Sequence, residues 1–134
     1  MKILIDTNIL LWAAKGDTKL SKTAGQDILD ANNLIYVSVA SFWEIGIKHS
    51  IGKLELPYSP REFFRRELEE QGYHLLDIGL EAGTKQAELP YLESGHKDPF
   101  DRVLVAEAIV RGMPLLSGDM ELDGYRAFGL ELRR

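Results

Sequence analysis

Lys2-Ile3-Leu4-Ile5-Asp6-Thr7-Asn8, at the head of the chain, sets the architecture. Residues 2–6 are a short apolar run closed by an acid, the pattern of a buried strand. Asp, Thr and Asn all favour the N-cap of a helix, so a helix is expected from Asn8 to Lys15, stopped at Gly16-Asp17. The same alternation continues outward. Ser21 caps a second helix over roughly 22–31, and Leu34-Ile35-Tyr36-Val37 is a continuously apolar strand buried on both faces. Ser38 caps a helix from about Val39 to Ser50, and Gly52, Pro57 and Pro60 break the chain into a loop. Arg61 to Gln71 is helical, Tyr73 to Leu76 a third strand, and Ala82 to Ala87 a short helix. After a loop over 90–97, Pro99 to Arg111 is a strong helix ended by Gly112, and Pro114 to Ser117 a fourth strand. The tail, with Leu130 and Leu132 set among charges, suggests a fifth, edge strand.

Strands alternating with helices imply βαβ units and a parallel sheet covered on both faces. The expected class is therefore α/β: a three-layer sandwich around a mainly parallel sheet of four to five strands. There is no internal repeat or linker, so one domain over residues 1–134 is the economical reading. In open sheets of this kind ligands bind at the carboxyl ends of the strands. The order of the strands is not written in the local pattern.

Composition narrows the classes of function. The chain has no cysteine, which excludes disulfides, thiol catalysis and thiolate zinc sites and fits a reducing compartment. No apolar run approaches the ~20 residues that span a bilayer, and the opening is too short in apolar length for a signal peptide. A cytoplasmic protein without membrane contact is expected. The net charge of −5 argues against a dedicated nucleic-acid binder. A cluster of acids around a cation lowers net charge all the same, while the bound ion reverses the local sign. Arg61, Arg65 and Arg66 share their segment with Glu62, Glu67, Glu69 and Glu70, which reads as a solvated face of ion pairs.

Four acids terminate or interrupt apolar segments: Asp6, Glu44, Asp101 and Asp119. Each has a bland account. Asp6 caps a helix. Glu44 pairs with Lys48 at the i,i+4 spacing. In Asp98-Pro99-Phe100-Asp101, Asp98 is an N-cap, Pro99 holds the first helical position, and Asp101 complements the helix dipole. Asp119 opens a turn before Met120 to Tyr125. Capping leaves unexplained why all four fall at the same expected edge of the sheet. Carboxylates gathered there need a cation, and a divalent metal held by oxygen ligands is the obvious one.

The ordered set resembles the PIN domain, and within it the VapC-type toxins of toxin–antitoxin pairs. The matching residues are Ile3-Leu4-Ile5-Asp6-Thr7-Asn8, Ser41-Phe42-Trp43-Glu44-Ile45 with Gly52-Lys53-Leu54, Asp98-Pro99-Phe100-Asp101-Arg102 with Ala106 and Ala108, and Ser117-Gly118-Asp119. The resemblance implies a Rossmann-like sheet and a Mg²⁺- or Mn²⁺-dependent endoribonuclease. It makes Asp6, Glu44, Asp101 and Asp119 the catalytic and metal-binding acids. Thr7, Asn8 and Ser117 become small polar groups for substrate or water. Ser117-Gly118-Asp119 departs mildly from the commoner Thr-x-Asp pattern. Asp6 and Asp101 are expected to hold metal directly, with Glu44 and Asp119 in support. Hydrolysis by metal-activated water would leave a 5′-phosphate and a 3′-hydroxyl.

Lys48, Lys53, Lys97 and Arg102 are candidate phosphate contacts, whereas His49, His74 and His96 are expected to take no part. The resemblance further implies an RNA substrate, a small antitoxin protein covering the acidic pocket, a homodimer, and contact with DNA only through the antitoxin. Trp12, Tyr58, Phe63 and Phe64 are candidate apolar contacts for such an interface. Besides a signal-receiver domain, disfavoured because the acids are spread over the whole chain, two rivals stand beside this reading. An aspartate-nucleophile phosphatase similar to the haloacid dehalogenase type wants a second Asp two residues after the first, where this chain has Asn8. The other rival is a non-catalytic RNA- or protein-binding module of the same fold.

Overall fold

The computed structural model describes all 134 residues. Five parallel strands make one sheet in the order β3-β2-β1-β4-β5. The strands are β1 (Lys2–Ile5), β2 (Leu34–Ser38), β3 (His74–Leu76), β4 (Leu115–Leu116) and β5 (Leu132–Arg133). Every pairing is parallel, so the mainly parallel sheet of four to five strands resolves to five, and the tail is an edge strand beside β4. The chain moves from β1 outward to β2 and β3, then crosses back to lay β4 on the other flank of β1. The crevice between β1 and β4 is the switch point where such sheets bind ligands.

The apolar runs are split by the two-residue period of a strand. Ile3 and Ile5 of β1 and Leu116 of β4 face one layer, with Ile9, Leu10, Phe42, Ile45 and Phe63. Leu4 and Leu115 face the other, with Leu104, Val105, Leu122 and Tyr125. Helices α1 (Thr7–Lys15), α2 (Lys22–Leu29), α3 (Val39–Ser50) and α4 (Pro60–Arg65) supply the first layer. Helices α5 (Leu80–Glu88) and α6 (Pro99–Arg111), with the 3₁₀ segment Met120–Phe128, supply the second. No helix is long and apolar enough to cross a membrane.

Several boundaries differ from those expected. Helix α2 stops at Leu29, because the Asp30 side chain accepts the Asn32 N–H and turns the chain. The helix expected over 61–71 starts at Pro60 under a Ser59 cap and widens into a π turn over Arg66–Glu70, closed by Gln71 N–H on the Arg66 carbonyl. The short segment after Asp119 is a 3₁₀ helix running on to Phe128. Of the four aromatics offered as interface contacts, Phe63 is core, and Trp12 and Phe64 pack against the same cluster. Tyr58 is exposed, with the Arg66 guanidinium 3.9 Å over its ring. The basic helix is a web of ion pairs, Arg65 with Glu62, Glu69 and Glu70, and Arg66 with Glu62.

Candidate active site

Parallel strands end on one edge, and that edge collects the acids. Asp6 follows β1, and its N–H still bonds the Leu116 carbonyl of β4 at 3.1 Å. Its side chain accepts the Ile9 N–H at 2.8 Å, so it caps α1 as well. Asp119 lies just beyond β4 and accepts the Glu121 N–H at 2.9 Å, while its own N–H is held by the Ser117 hydroxyl at 3.1 Å. Helix α3 leaves β2 at the same edge and carries Glu44 in its second turn. Helix α6 feeds β4, so it runs against the strands and its first turn, with Asp101, opens on that edge too. Asp98 is the N-cap of α6, accepting the Asp101 N–H at 3.0 Å.

The four carboxylates share one electrostatic field. Burial pushes Asp6 up to about 6; the Ser117 hydroxyl and the Ile9 N–H work against that rise, and the charges of Asp101 and Asp119 add to it. Burial also pushes Asp101 up to about 6, opposed by a hydrogen bond from His96 and reinforced by Asp98 and Glu44. Asp6 and Glu44 are each only 5% exposed. Buried like charges of this kind are relieved either by taking up a proton or by a compensating cation. Lys48 supplies part of one: its Nζ is 2.6 Å from Glu44 Oε2, and the hydrogen bond to Glu44 raises its pKa. Both accounts of Glu44 therefore hold at once, as the partner of Lys48 and as a member of the acidic set.

The small polar residues divide. Thr7 is buried, and its hydroxyl donates to Ser41 Oγ at 3.0 Å, tying the start of α1 to α3. Ser117 is buried between Asp6 and Asp119, and Asn8 is exposed beside them. Lys53 and Lys97 are exposed. Arg102 corrects the expectation of a phosphate contact. It is 2% exposed, and its guanidinium donates to the carbonyls of Gln86, Leu89 and Pro90 and to the Tyr125 hydroxyl. It clamps the end of α5 to α6 and presents no free donor to a ligand outside.

His96 is the residue that sequence reasoning set aside and the fold brings in. Its Nε2 lies 3.1 Å from Asp101 Oδ2, and ligand atoms of His96, Asp101 and Asp119 all lie within 4.8 Å of one another. The signal available was slight: a histidine in the loop just before a capped, apolar helix. His49 instead contacts the Leu54 carbonyl, and His74 stacks on Tyr36.

These donors fit a hard divalent cation. They are mostly carboxylate oxygens, which suit Mg²⁺ or Mn²⁺. Glu44 Oε1 is buried without any hydrogen-bond partner, an acceptor that the protein itself leaves unmet. Unmet buried acceptors are rare in folded proteins and call for an occupant.

A family model described as the PIN domain matches residues 3–127. Ribonuclease VapC22 of Mycobacterium tuberculosis is 24% identical over 124 residues, 92% of either chain. In solved structures the same fold occurs in VapBC2 from Rickettsia felis bound to a promoter DNA fragment, with a TM-score of 0.71, 19% identity and coverage of 99% of this chain and 98% of that one. It also occurs in VapBC-1 from nontypeable Haemophilus influenzae, with a TM-score of 0.68, 17% identity and coverage of 99% and 97%. With its sheet order, its acidic edge and a match over nearly its whole length, this chain belongs to the PIN domain family.

Proposed function

We propose that this chain is an endoribonuclease of the VapC type, the toxin of a toxin–antitoxin pair, and that it hydrolyses RNA phosphodiester bonds with Mg²⁺ or Mn²⁺. The observation that carries this reading is the meeting of Asp6, Glu44, Asp101 and Asp119 at the carboxyl edge of the sheet, with one buried Glu44 oxygen unmet. Asp6 and Asp101 would hold the cation, and Glu44 and Asp119 would complete its surroundings. When bound, the cation acidifies a water and offsets charge on the phosphodiester.

The chain's own groups do the remaining work. Ile9 N–H fixes one oxygen of Asp6, and the Asp98 cap fixes the backbone of Asp101. Ser117 holds the Asp119 backbone, so the acids are oriented before any substrate arrives. Lys48 is about half exposed beside Glu44, within the field of Asp98 and Asp101, and is a lysine that a substrate phosphate could meet. Asn8, exposed next to Asp6, is placed to donate to a phosphate oxygen or a water.

The partners follow from the same reading. A small antitoxin protein covers the acidic edge, the toxin pairs with a second copy, and DNA is met only through the antitoxin. The site of action is the cytoplasm. Cleavage of total RNA, with the new ends characterised, tests the reaction class. Mg²⁺- or Mn²⁺-dependent fragments bearing 5′-phosphates support it. Release of phosphate from small monoesters, with RNA left whole, would favour the aspartate-nucleophile reaction instead.

A further inference from the structure

Arg102 follows Asp101 directly on α6 but spends its guanidinium inside the protein. Nη2 donates to the carbonyls of Gln86 and Leu89 at 2.8 and 2.7 Å, and Nη1 to that of Pro90 at 3.2 Å. Nη1 also donates to the Tyr125 hydroxyl at 3.2 Å, and the Tyr91 ring lies 4.3 Å from the guanidinium carbon. Arginine carries donors and no acceptor. The Tyr125 oxygen therefore accepts from Arg102 and must send its single proton elsewhere. Tyr125 is fully buried, and its other recorded partner is His96 Nδ1 at 3.3 Å.

That order of donors favours one form of the histidine. If Tyr125 donates to Nδ1, Nδ1 is an acceptor and the ring proton sits on Nε2. Nε2 is the atom 3.1 Å from Asp101 Oδ2. The proton sequence thus runs Arg102 to Tyr125 to His96 to Asp101, through groups on α6, the 3₁₀ segment, the loop before α6, and α6 again. An imidazole with its proton on Nε2 cannot ligate a cation through that atom. His96 is close enough to Asp119 and Asp101 to be taken for a ligand, yet its tautomer makes it a support for the ligands.

We propose that His96 is a positioning residue for Asp101, locked by Arg102 and Tyr125 as the Nε2–H tautomer, so that it holds one Asp101 oxygen and leaves the other to a cation. Such outer hydrogen bonds fix the rotamer of a ligating side chain and its basicity. The proposal rests on the cation-binding role given to Asp101 above. It adds a role for a loop histidine and makes Arg102 the far end of the device.

Nitrogen NMR of histidine-labelled, cation-free wild-type protein tests the relay without any variant and without any metal. The expected result is a single Nε2–H tautomer for His96, turning into a mixture in Tyr125→Phe. Mn²⁺ titration of variants tests the consequence. His96→Ala is expected to weaken binding about 10- to 100-fold, and His96→Gln, whose amide replaces the Nε2–H donor, to stay within about threefold of wild type. An Nδ1–H tautomer in wild type, or equal loss of affinity in the Ala and Gln variants, overturns the proposal. No Mn²⁺ uptake by wild type with the Nε2–H tautomer intact would sink the metal site instead and leave the relay standing.

Discussion

Asp6 shows how one side chain serves fold and chemistry together. Its carboxylate caps α1 through the Ile9 N–H, while burial and two neighbouring acids push its pKa to about 6. Asparagine caps a helix as well as aspartate does. Asp6→Asn is therefore expected to fold with stability equal to or above wild type in urea and to cut no RNA. Asp6→Ala should lose about 1 kcal/mol as well, the usual worth of a cap. A stable Asp6→Asn that still cuts RNA would separate Asp6 from the chemistry. Glu107 is the opposite case, a buried acid outside the site. It is fully buried, and neither carboxylate oxygen is met by a well-formed hydrogen bond, the Ser38 hydroxyl engaging it only weakly. Burial raises its pKa from 4.5 to about 7, with Ser38 and Arg111 opposing the rise and Asp77 adding to it. The folded state thus binds a proton that the unfolded chain releases near 4.5. Stability is fully present below that pH, falls as pH rises toward about 7, and is level above it. The fall is at most about 3 kcal/mol. Glu107→Gln should make the fall in stability between pH 5 and pH 8 shallower by about that amount in urea unfolding, leaving the shares of Asp6, Glu67 and Asp101. An unchanged slope would show that Glu107 is charged when folded. At this scale the chain was partly legible. The four acids stood out because they closed apolar runs. His96, Arg102 and Glu107 did not, because what each does depends on partners distant in sequence, such as Tyr125 and the end of α5.

Elements were legible where their ends carry local chemistry. Ser21, Ser38 and Asp98 cap their helices as their residue types promise, and Gly112 ends α6 in the left-handed conformation that glycine allows. The π turn over Arg66–Glu70 was not legible, since nothing in Arg66-Glu67-Leu68-Glu69-Glu70 distinguishes it from an ordinary helical turn. The junction between α5 and α6 was equally hidden. It rests on Arg102, whose fork spans three carbonyls that α5 and its exit leave unpaired. A lysine offers one point of donors in place of a planar fork. Arg102→Lys is therefore expected to cost about 2–4 kcal/mol in urea unfolding, as buried acceptors go unmet. A loss under about 0.5 kcal/mol would show the clamp to be dispensable. Asp98 gives the contrasting result. Asp98→Ala should cost about 1 kcal/mol as a lost cap and leave the dependence of RNA cleavage on the cation unchanged. A shift of cleavage to much higher Mn²⁺ concentration there would add Asp98 to the site.

At the scale of the whole molecule, function depends on strand order. Asp6 and Asp119 meet because β1 and β4 are neighbours, and Asp101 joins them because α6 returns against the strands. Local periodicity carries no information on which strands pair; it is the sheet order 3-2-1-4-5 that brings the acids to one edge. The net charge of −5 also takes its meaning here: the acids at this edge sit where a cation and a phosphate chain would meet. Helix α3 and the residue after it expose Trp43, Ile47 and Ile51, apolar surface that nothing in the chain covers. The proposed activity, RNA cleavage by the carboxylate cluster loaded with a divalent cation, is tested most directly by cleavage of total RNA by wild type and by folded Asp101→Asn, in Mn²⁺ and in EDTA. Cutting is expected from wild type in Mn²⁺, none in EDTA, and none from the variant in either. Undiminished cleavage by wild type in EDTA, or by Asp101→Asn at the wild-type rate, would contradict it.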